Sequence, residues 1–349
     1  MKRIIALILA ALMLFTLVSC GEGDKKTADY VVKAGDTKLD VGAYYSELYT
    51  YKNDVLFNFL GLEADNPAIW TQDSPSGRLE TVGDTLARMA LEDIVQFAWV
   101  IEYAKDNGVV LSEEDRATLD EGYSTLLQNF DNAEEYNKYL DTLKFTEDTM
   151  KEYLEQTLYY DKGFGMLIGE NGLYPVAEDA YDKHYEENYY SVKHIFINDV
   201  NKLDEEGNPI ELTAEEKKAQ VEKADQIYAD LQSGADFDTL YMLSEDGMST
   251  SYPEGLTFTS GMIDESYETA VKGLKVGEYT KVSGDYGGIY IVMRVDLLES
   301  GREDYDSAIR DAVHSDIQAR IYTDHKKEVE VNYDLINSFK FEDVPVAGN

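Results

Sequence analysis

The strongest constraint on the fold is an apolar stripe between residues 79 and 106. Its apolar residues recur at three- and four-residue spacing, and Gly108 follows the stripe as a stop signal. The residues of the stripe are Leu86, Met89, Ala90, Ile94, Phe97, Ala98, Ile101 and Ala104. This spacing puts them on one face of an α-helix. Because such a face is stable only when it is covered, the pattern predicts a helical domain in which this helix packs against others.

Further helical patterns flank this stripe. Ser112, followed by three acidic residues, predicts a capped helix start, and Thr146 predicts another at the head of a helix that ends at residue 167. Residues 133–143 give a shorter helical pattern between them. A last long pattern follows Gly301, and its apolar side is formed by Tyr305, Ile309, Ala312, Val313, Ile317, Ile321 and Tyr322. Before the first helix, residues 29–41 predict a short strand pair around a Gly35-Asp36 turn.

The N-terminus has the form of a secretory leader. Lys2 and Arg3 precede an apolar run that ends at Val18, which is shorter than the about 20 residues of a membrane-spanning helix. The run ends in Leu17-Val18-Ser19-Cys20, which resembles the bacterial lipobox, and Cys20 is the only cysteine. We therefore expect a signal peptide over 1–19, lipidation of Cys20, and a tether over 20–28. Two acyl chains suffice for stable anchoring, so the expected location is the extracytoplasmic face of the cell membrane.

The charge of the chain restricts its partners. With 31 basic and 69 acidic residues, the formal net charge is −38, which argues against nucleic acid as a partner. The acidic surface is either simply solvated or attracts basic clients or wall-associated cations. The 27 tyrosines suit an adaptable binding surface, although half-buried helix positions explain them equally well. Without a regular EF-hand loop, and with a single cysteine, the sequence predicts no metal and no disulfide within the chain.

A different pattern occupies residues 190–299. A strand that includes Lys193-His194-Ile195 comes before a helix that opens with a Thr213 to Glu216 capping box and ends at Gly234. An Asp-Phe and leucine run, residues 236–240, and then Ser244-Glu245-Asp246 follow that glycine. In its order and spacing this stretch resembles a parvulin-type (PpiC-type) peptidyl-prolyl isomerase domain. The resemblance implies a four-stranded antiparallel sheet with surrounding helices, and it implies no cofactor.

The resemblance also implies a site. His194 and Asp246 would be its polar, catalytic residues, and a cup for the proline ring would be formed by Phe258, Ile263 and Tyr267. Each residue also has an ordinary explanation: a histidine at a strand centre is often a satisfied core residue, Asp246 can form a turn before Gly247, and apolar residues can be plain core. No Arg/Lys cluster accompanies the site, so specificity for phosphoserine-proline is not expected.

The sequence departs from the parvulin pattern at three places, one of which is Met262, where the family commonly has a glutamine. Parvulins normally carry a second histidine in a Gly-aromatic-His-Ile-Ile strand, and aligning that strand to 287–291 puts Ile289 at the histidine position. The usual Gly-Asp-Leu-Gly turn is replaced by Pro253-Glu254-Gly255-Leu256. Loss of one imidazole predicts isomerase activity that is either weak or absent.

The flanks of this stretch resemble those of PrsA- and SurA-type foldases. The fold class implied is α+β: residues 29–189 and 300–349 form one helical chaperone domain, and the parvulin-like domain is inserted over 190–299. The expected function is a membrane-anchored foldase that isomerises X-Pro bonds in unfolded or newly secreted polypeptides, with a homodimer left open. The alternative is a non-catalytic holdase with a degenerate parvulin domain. A solute-binding lipoprotein would share the lipobox but requires two alternating α/β lobes, which the sequence does not indicate.

Overall fold

A computed structural model describes residues 30–60, 65–75, 78–203, 206 and 208–347. The predicted signal peptide, Cys20 and the tether over 20–28 lie outside these ranges. Two compact units are present. One is Ala177–His314, and the other contains the described residues up to Val176 together with those from Ser315 onwards. We call them the inserted unit and the helical unit.

The elements follow one another with short connections. The helices are α1 (Val41–Val55), α2 (Pro67–Trp70), α3 (Val82–Asp106), α4 (Glu113–Leu127), α5 (Ala133–Thr142), α6 (Glu147–Ile168), α7 (Ala180–Asn188), α8 (Ala214–Gln232), α9 (Phe237–Tyr241), α10 (Met248–Ser251), α11 (Glu265–Lys272), α12 (Glu299–Asp304), α13 (Asp306–His325) and α14 (Tyr333–Ile336). A π-helical turn, Leu56–Leu60, extends α1, and a 3₁₀ turn spans Phe341–Asp343. The strands are β1 (Val32–Ala34), β2 (Thr37–Leu39), β3 (Tyr189–Ile197), β4 (Asn201–Leu203), β5 (Pro209–Glu211), β6 (Leu256–Thr259), β7 (Tyr279–Ser283), β8 (Ile289–Val295) and β9 (Val329–Val331).

Side-chain caps fix where the long helices begin. The predicted caps Ser112, Thr146 and Thr213 are confirmed, since each hydroxyl accepts from the backbone amide three residues later. The same device starts α3: Thr81 forms a capping box with Asp84. This helix therefore begins at Val82 rather than at residue 79, where the apolar stripe was expected to begin.

In the helical unit a small sheet joins residues from both ends of the sequence. Its strand order is β2-β1-β9, with β1 antiparallel to both neighbours. The predicted strand pair is confirmed as β1 and β2, whereas β9 was not predicted as a strand. Because Val32 pairs with Val331, the segments before and after the inserted unit fold together. None of the helices within the described ranges has the length and apolar character that a membrane span requires.

The inserted unit is built on an antiparallel sheet with the order β6-β3-β8-β7. Side chains alternate between its two faces. One face carries Ile195, Ile197, Ile289 and Ile291, which pack with residues of α8 and α9. The opposite face carries Val192 and Val292, which pack with Phe258 and with residues of α11. In the register of β3 and β8, His194 lies opposite Val292 and therefore shares this second face.

Candidate functional site

His194 lies at the centre of the sheet and is 7% exposed. Its Nε2 is 2.7 Å from Asp246 Oδ2, and its Nδ1 is 2.7 Å from the hydroxyl of Tyr267. A carboxylate can only accept, so Nε2 donates its proton to Asp246. In the neutral imidazole, Nδ1 then accepts from the Tyr267 hydroxyl. With both ring nitrogens engaged, His194 is a fixed part of the site floor rather than a free nucleophile or base.

Asp246 is held in place by groups other than His194. Its Oδ1 accepts from the Ser244 hydroxyl at 2.7 Å and from the Met248 amide at 3.0 Å. Burial by itself opposes ionisation, but the hydrogen bonds from His194, Ser244 and Met248 outweigh it and lower the pKa of Asp246 below its usual value. Asp246 is therefore ionised at neutral pH, which agrees with its role as acceptor from His194.

The rings of two tyrosines, Tyr267 and Tyr290, pack against the imidazole of His194. The ring centroid of Tyr267 lies 5.6 Å and that of Tyr290 5.3 Å from the imidazole, both nearly perpendicular to it. Burial, followed by the charges of neighbouring acidic groups, raises the pKa of Tyr267 well above its usual value, so its hydroxyl stays protonated and able to donate. The pKa of Tyr290 is also raised, chiefly by burial. The polar floor of the site is thus enclosed by aromatic rings.

A small cavity opens above this floor. Its volume is about 180 Å³, and it is lined by His194, Leu256, Ile263, Asp264, Tyr267 and Tyr290. Pockets for drug-sized ligands occupy about 300 to 1,000 Å³, so this one has room for a single side chain or ring. Four of its six lining side chains are aliphatic or aromatic, which suits an apolar group. Within the described ranges, no group of three or more His, Cys, Asp or Glu side chains is arranged to hold a metal ion.

Part of this chain matches a known protein family. Residues 180–296 match the family model of the PPIC-type PPIase domain. The chain carries a parvulin domain. This confirms the resemblance noted in the sequence over 190–299. A search of the curated proteins found no match.

Solved structures of PrsA proteins are also similar to this chain. Peptidylprolyl isomerase PrsA from Bacillus cereus is 21% identical with a TM-score of 0.35, and the alignment covers 74% of this chain and 92% of that one. Foldase protein PrsA from Streptococcus pneumoniae is 19% identical with a TM-score of 0.30, covering 69% and 83%. PrsA from Bacillus subtilis is 17% identical with a TM-score of 0.25, covering 74% and 94%.

The parvulin domain brings four of the five predicted site residues together at the cavity. His194, Tyr267 and Ile263 line it, and Asp246 supports His194 from behind. Phe258 is placed differently: it is 1% exposed, stacks on Tyr190 at 5.7 Å, and contacts the ring of Tyr267 from the core. It supports the cavity wall without being one of the lining residues.

Three lining residues were missed by the sequence analysis, namely Leu256, Asp264 and Tyr290. Alternation along β8 could have pointed to Tyr290, since it lies two residues from Val292 on the same face. Leu256 and Asp264 lie outside that strand, and their approach to the cavity depends on how β6 and the start of α11 pack. The sequence holds no local pattern that reports this packing.

The structure corrects which residue of this chain stands at the position of the second parvulin histidine. Ile289 is 5% exposed and packs with Ile195 and Ile291 on the face opposite His194, so a side chain there cannot reach the imidazole. The β8 residue whose ring meets His194 is Tyr290. Matching the Gly-aromatic-His-Ile-Ile pattern to 288–292 instead of 287–291 puts Tyr290 at the histidine position. The alignment was one residue out because Gly287 and Gly288 fit the glycine equally well.

Gly288 fixes the point at which β8 begins. Its φ is +88°, and a Cβ built there would lie 2.3 Å from the ring of Phe196. Its amide donates to Asp199 Oδ1 at 2.7 Å. Because a shift of one residue would exchange the two faces of the strand, this glycine sets which of Ile289 and Tyr290 faces the cavity.

Proposed function

We propose that this chain is an extracytoplasmic, membrane-anchored foldase whose parvulin domain isomerises X-Pro bonds in unfolded or newly secreted polypeptides. The observation that carries this function is the cavity of about 180 Å³ above the His194–Tyr267–Asp246 network. It has the size and apolar lining to take a proline ring, and His194 on its floor is already hydrogen-bonded to Tyr267 and Asp246.

The chemistry of the reaction fits such a site. Rotation about the X-Pro bond loses amide resonance and needs no nucleophile, metal or cofactor. A catalyst has only to bind the twisted amide better than the planar one. The twisted amide is less charge-separated than the planar one, so apolar walls such as Leu256, Ile263 and Tyr290 favour it by comparison with water. The role of His194 and Tyr267 is to keep the floor of the cavity in one arrangement.

Exchange spectroscopy by NMR on short Ala-Pro peptides tests the isomerase function. The soluble form lacking residues 1–20 should accelerate cis–trans exchange, and its His194→Ala variant should do so much less, because the support of Tyr267 and the shape of the floor are lost. Tyr286→Phe is the matched control, since Tyr286 is 89% exposed. Equal acceleration by the parent and His194→Ala would remove this cavity as the site.

Membrane anchoring is supported by the leader and by Cys20, the only cysteine. The full chain expressed in a bacterium with lipoprotein processing should fractionate with membranes and take up labelled fatty acid. Cys20→Ala should abolish the labelling, and labelling of that variant at the level of the parent would contradict lipidation at this residue.

A holdase without catalysis is the second candidate, and Tyr290 favours it. A tyrosine stands where parvulins normally carry their second histidine, so the imidazole pair of the family cannot form. If the chain only holds clients, it should suppress aggregation of an unfolded protein with no acceleration of peptide exchange by the parent. Acceleration that depends on His194 would exclude this candidate as the complete function.

A further inference from the structure

Asp264 lines the cavity, but it does not play the structural role that an aspartate usually has at the start of a helix. It immediately precedes α11, at the position where an aspartate usually accepts a hydrogen bond from the first turn of a helix. Its side chain makes no such bond. Nor does it form a salt bridge or side-chain hydrogen bond with any residue in the described part of the chain. Its carboxylate is therefore not used to hold the fold together.

The capping role at α11 is taken by a different aspartate. Asp285, in the turn between β7 and β8, accepts from the Ser266 amide at 3.3 Å and also from the Ser266 hydroxyl. These bonds lower the pKa of Asp285 below its usual value. Since the start of α11 is satisfied from the neighbouring turn, Asp264 is left with a free carboxylate at the cavity.

That carboxylate lies close to Gly284 and to the ring of Tyr290. A Cβ built on Gly284 would lie 3.0 Å from Asp264 Oδ2 and 2.9 Å from Cε2 of Tyr290, so the carboxylate and the tyrosine ring meet over this glycine. The charge of Asp264 also contributes to raising the pKa of Tyr290, after the larger effect of burial. Asp264 thus adds negative charge to the wall beside the aromatic lining, and none of the lining residues is a lysine or arginine.

We propose that Asp264 gives the cavity a preference for prolines that have a lysine or arginine directly next to them in the sequence. This inference rests on the proposed function, because it assumes that the cavity takes the proline ring. In a cavity filled by that ring, the Asp264 carboxylate meets whatever adjoins the ring. An ammonium or guanidinium there gains an ion pair at a partly desolvated wall, and a glutamate there is repelled.

The test uses four peptides that differ only in whether they carry a lysine and in where it lies relative to the proline. Lys-Pro and Pro-Lys peptides carry the charge next to the ring, a Leu-Pro peptide is neutral there, and a fourth has Leu-Pro with the lysine moved four residues away. The fourth has the same net charge as the first two, so it separates local recognition from attraction by the acidic surface. Exchange rates and dissociation constants are measured by NMR with the soluble form, at low and at high salt.

We expect at least one of the adjacent-lysine peptides to exceed the distant-lysine peptide about fivefold in kcat/KM or in affinity at low salt. The ratio should shrink at high salt and fall to about one in Asp264→Asn. Asp296→Asn is the control, since Asp296 is exposed and is not one of the residues lining the cavity. The measured quantity is the ratio of the adjacent-lysine peptide to the distant-lysine peptide. A general loss of activity in Asp264→Asn lowers both values alike and therefore leaves this ratio unchanged.

Each other outcome has a definite meaning. A ratio near one in the parent overturns the inference, and so does a preference that survives in Asp264→Asn. If no peptide is accelerated, the isomerase function fails, but tighter binding of adjacent-lysine peptides that is lost in Asp264→Asn would still support the inference. Accelerated exchange without any lysine preference would support the isomerase function and contradict the role proposed for Asp264.

Discussion

At the scale of single residues, the site depends on one hydroxyl. The Tyr267 hydroxyl partners Nδ1 of an imidazole that is only 7% exposed, so its removal leaves a buried polar atom without that partner. Tyr267→Phe should lower the free energy of unfolding of the parvulin domain by about 1 to 3 kcal/mol and reduce kcat/KM. Urea unfolding followed by the amide signals of β3 and β8 measures the first effect. No change beyond that of the exposed control Tyr286→Phe would show that the bond does not hold His194.

Two neighbouring residues of β8 give a sharper test, because they face opposite sides of the sheet. Tyr290→His puts an imidazole next to His194 and should raise the exchange rate above that of the parent. Ile289→His puts the same group into the apolar cluster around Ile195, where it should destabilise the domain by about 1 to 3 kcal/mol without a gain in rate. Peptide exchange and urea unfolding of both variants decide the matter. A gain in rate from Ile289→His alone would mean that Ile289, rather than Tyr290, faces His194.

At the scale of elements, the sequence predicted what depends on neighbouring residues. Capping boxes such as those that begin at Ser112 and Thr213 signal helix starts locally, and those predictions are confirmed. The strand β9 was missed because its partner β1 lies about 300 residues away, and a three-residue strand carries little periodicity of its own. The cavity was foreseen in part for the same reason: His194 belongs to a recognisable strand, whereas Asp264 reaches the wall only through packing.

The contact among α1, α3 and α6 should make the helical unit sensitive to pH. Glu47 on α1 accepts from Tyr153 of α6, and it faces Asp93 of α3, which accepts from Tyr51 at 2.5 Å. Burial, followed by repulsion from Asp93 and a smaller one from Asp54, raises the pKa of Glu47 to about 7, with Tyr153 opposing this. A raised pKa in an acid means that the folded state holds the proton more tightly. Stability should therefore fall as pH rises from about 4.5 to about 7.

Glu47→Gln should remove much of this pH dependence, because glutamine keeps a hydrogen-bonding oxygen but does not ionise. We expect the variant to lose less stability than the parent between pH 5 and pH 8, by on the order of 1 to 3 kcal/mol. Tryptophan fluorescence during urea unfolding reports this unit alone, since the two tryptophans, Trp70 and Trp99, both belong to it. Glu134→Gln is the control, because the Glu134 side chain is 79% exposed. Parallel pH profiles for the parent and Glu47→Gln would contradict the assignment.

At the scale of the whole molecule, the pairing of β1 with β9 predicts that the helical unit can fold without its insert. Replacing residues 177–314 by a flexible Gly/Ser linker should leave the urea midpoint of tryptophan fluorescence close to that of the parent, while peptide exchange is no longer accelerated. Suppression of client aggregation by this variant would assign holding to the helical unit. An unfolded product would show that the helical unit requires the parvulin domain.

We expect the cavity in front of His194 to receive the proline ring and to speed its isomerisation. The most direct measurement is a titration of isoleucine-methyl-labelled protein with an Ala-Pro peptide, with exchange of the peptide recorded in the same samples. We predict accelerated exchange together with a shift of the Ile263 methyl signal, which lines the cavity, and little change at Ile289 on the opposite face. Accelerated exchange with Ile263 unperturbed would place the reaction elsewhere, and no acceleration at saturating peptide would contradict the isomerase function itself.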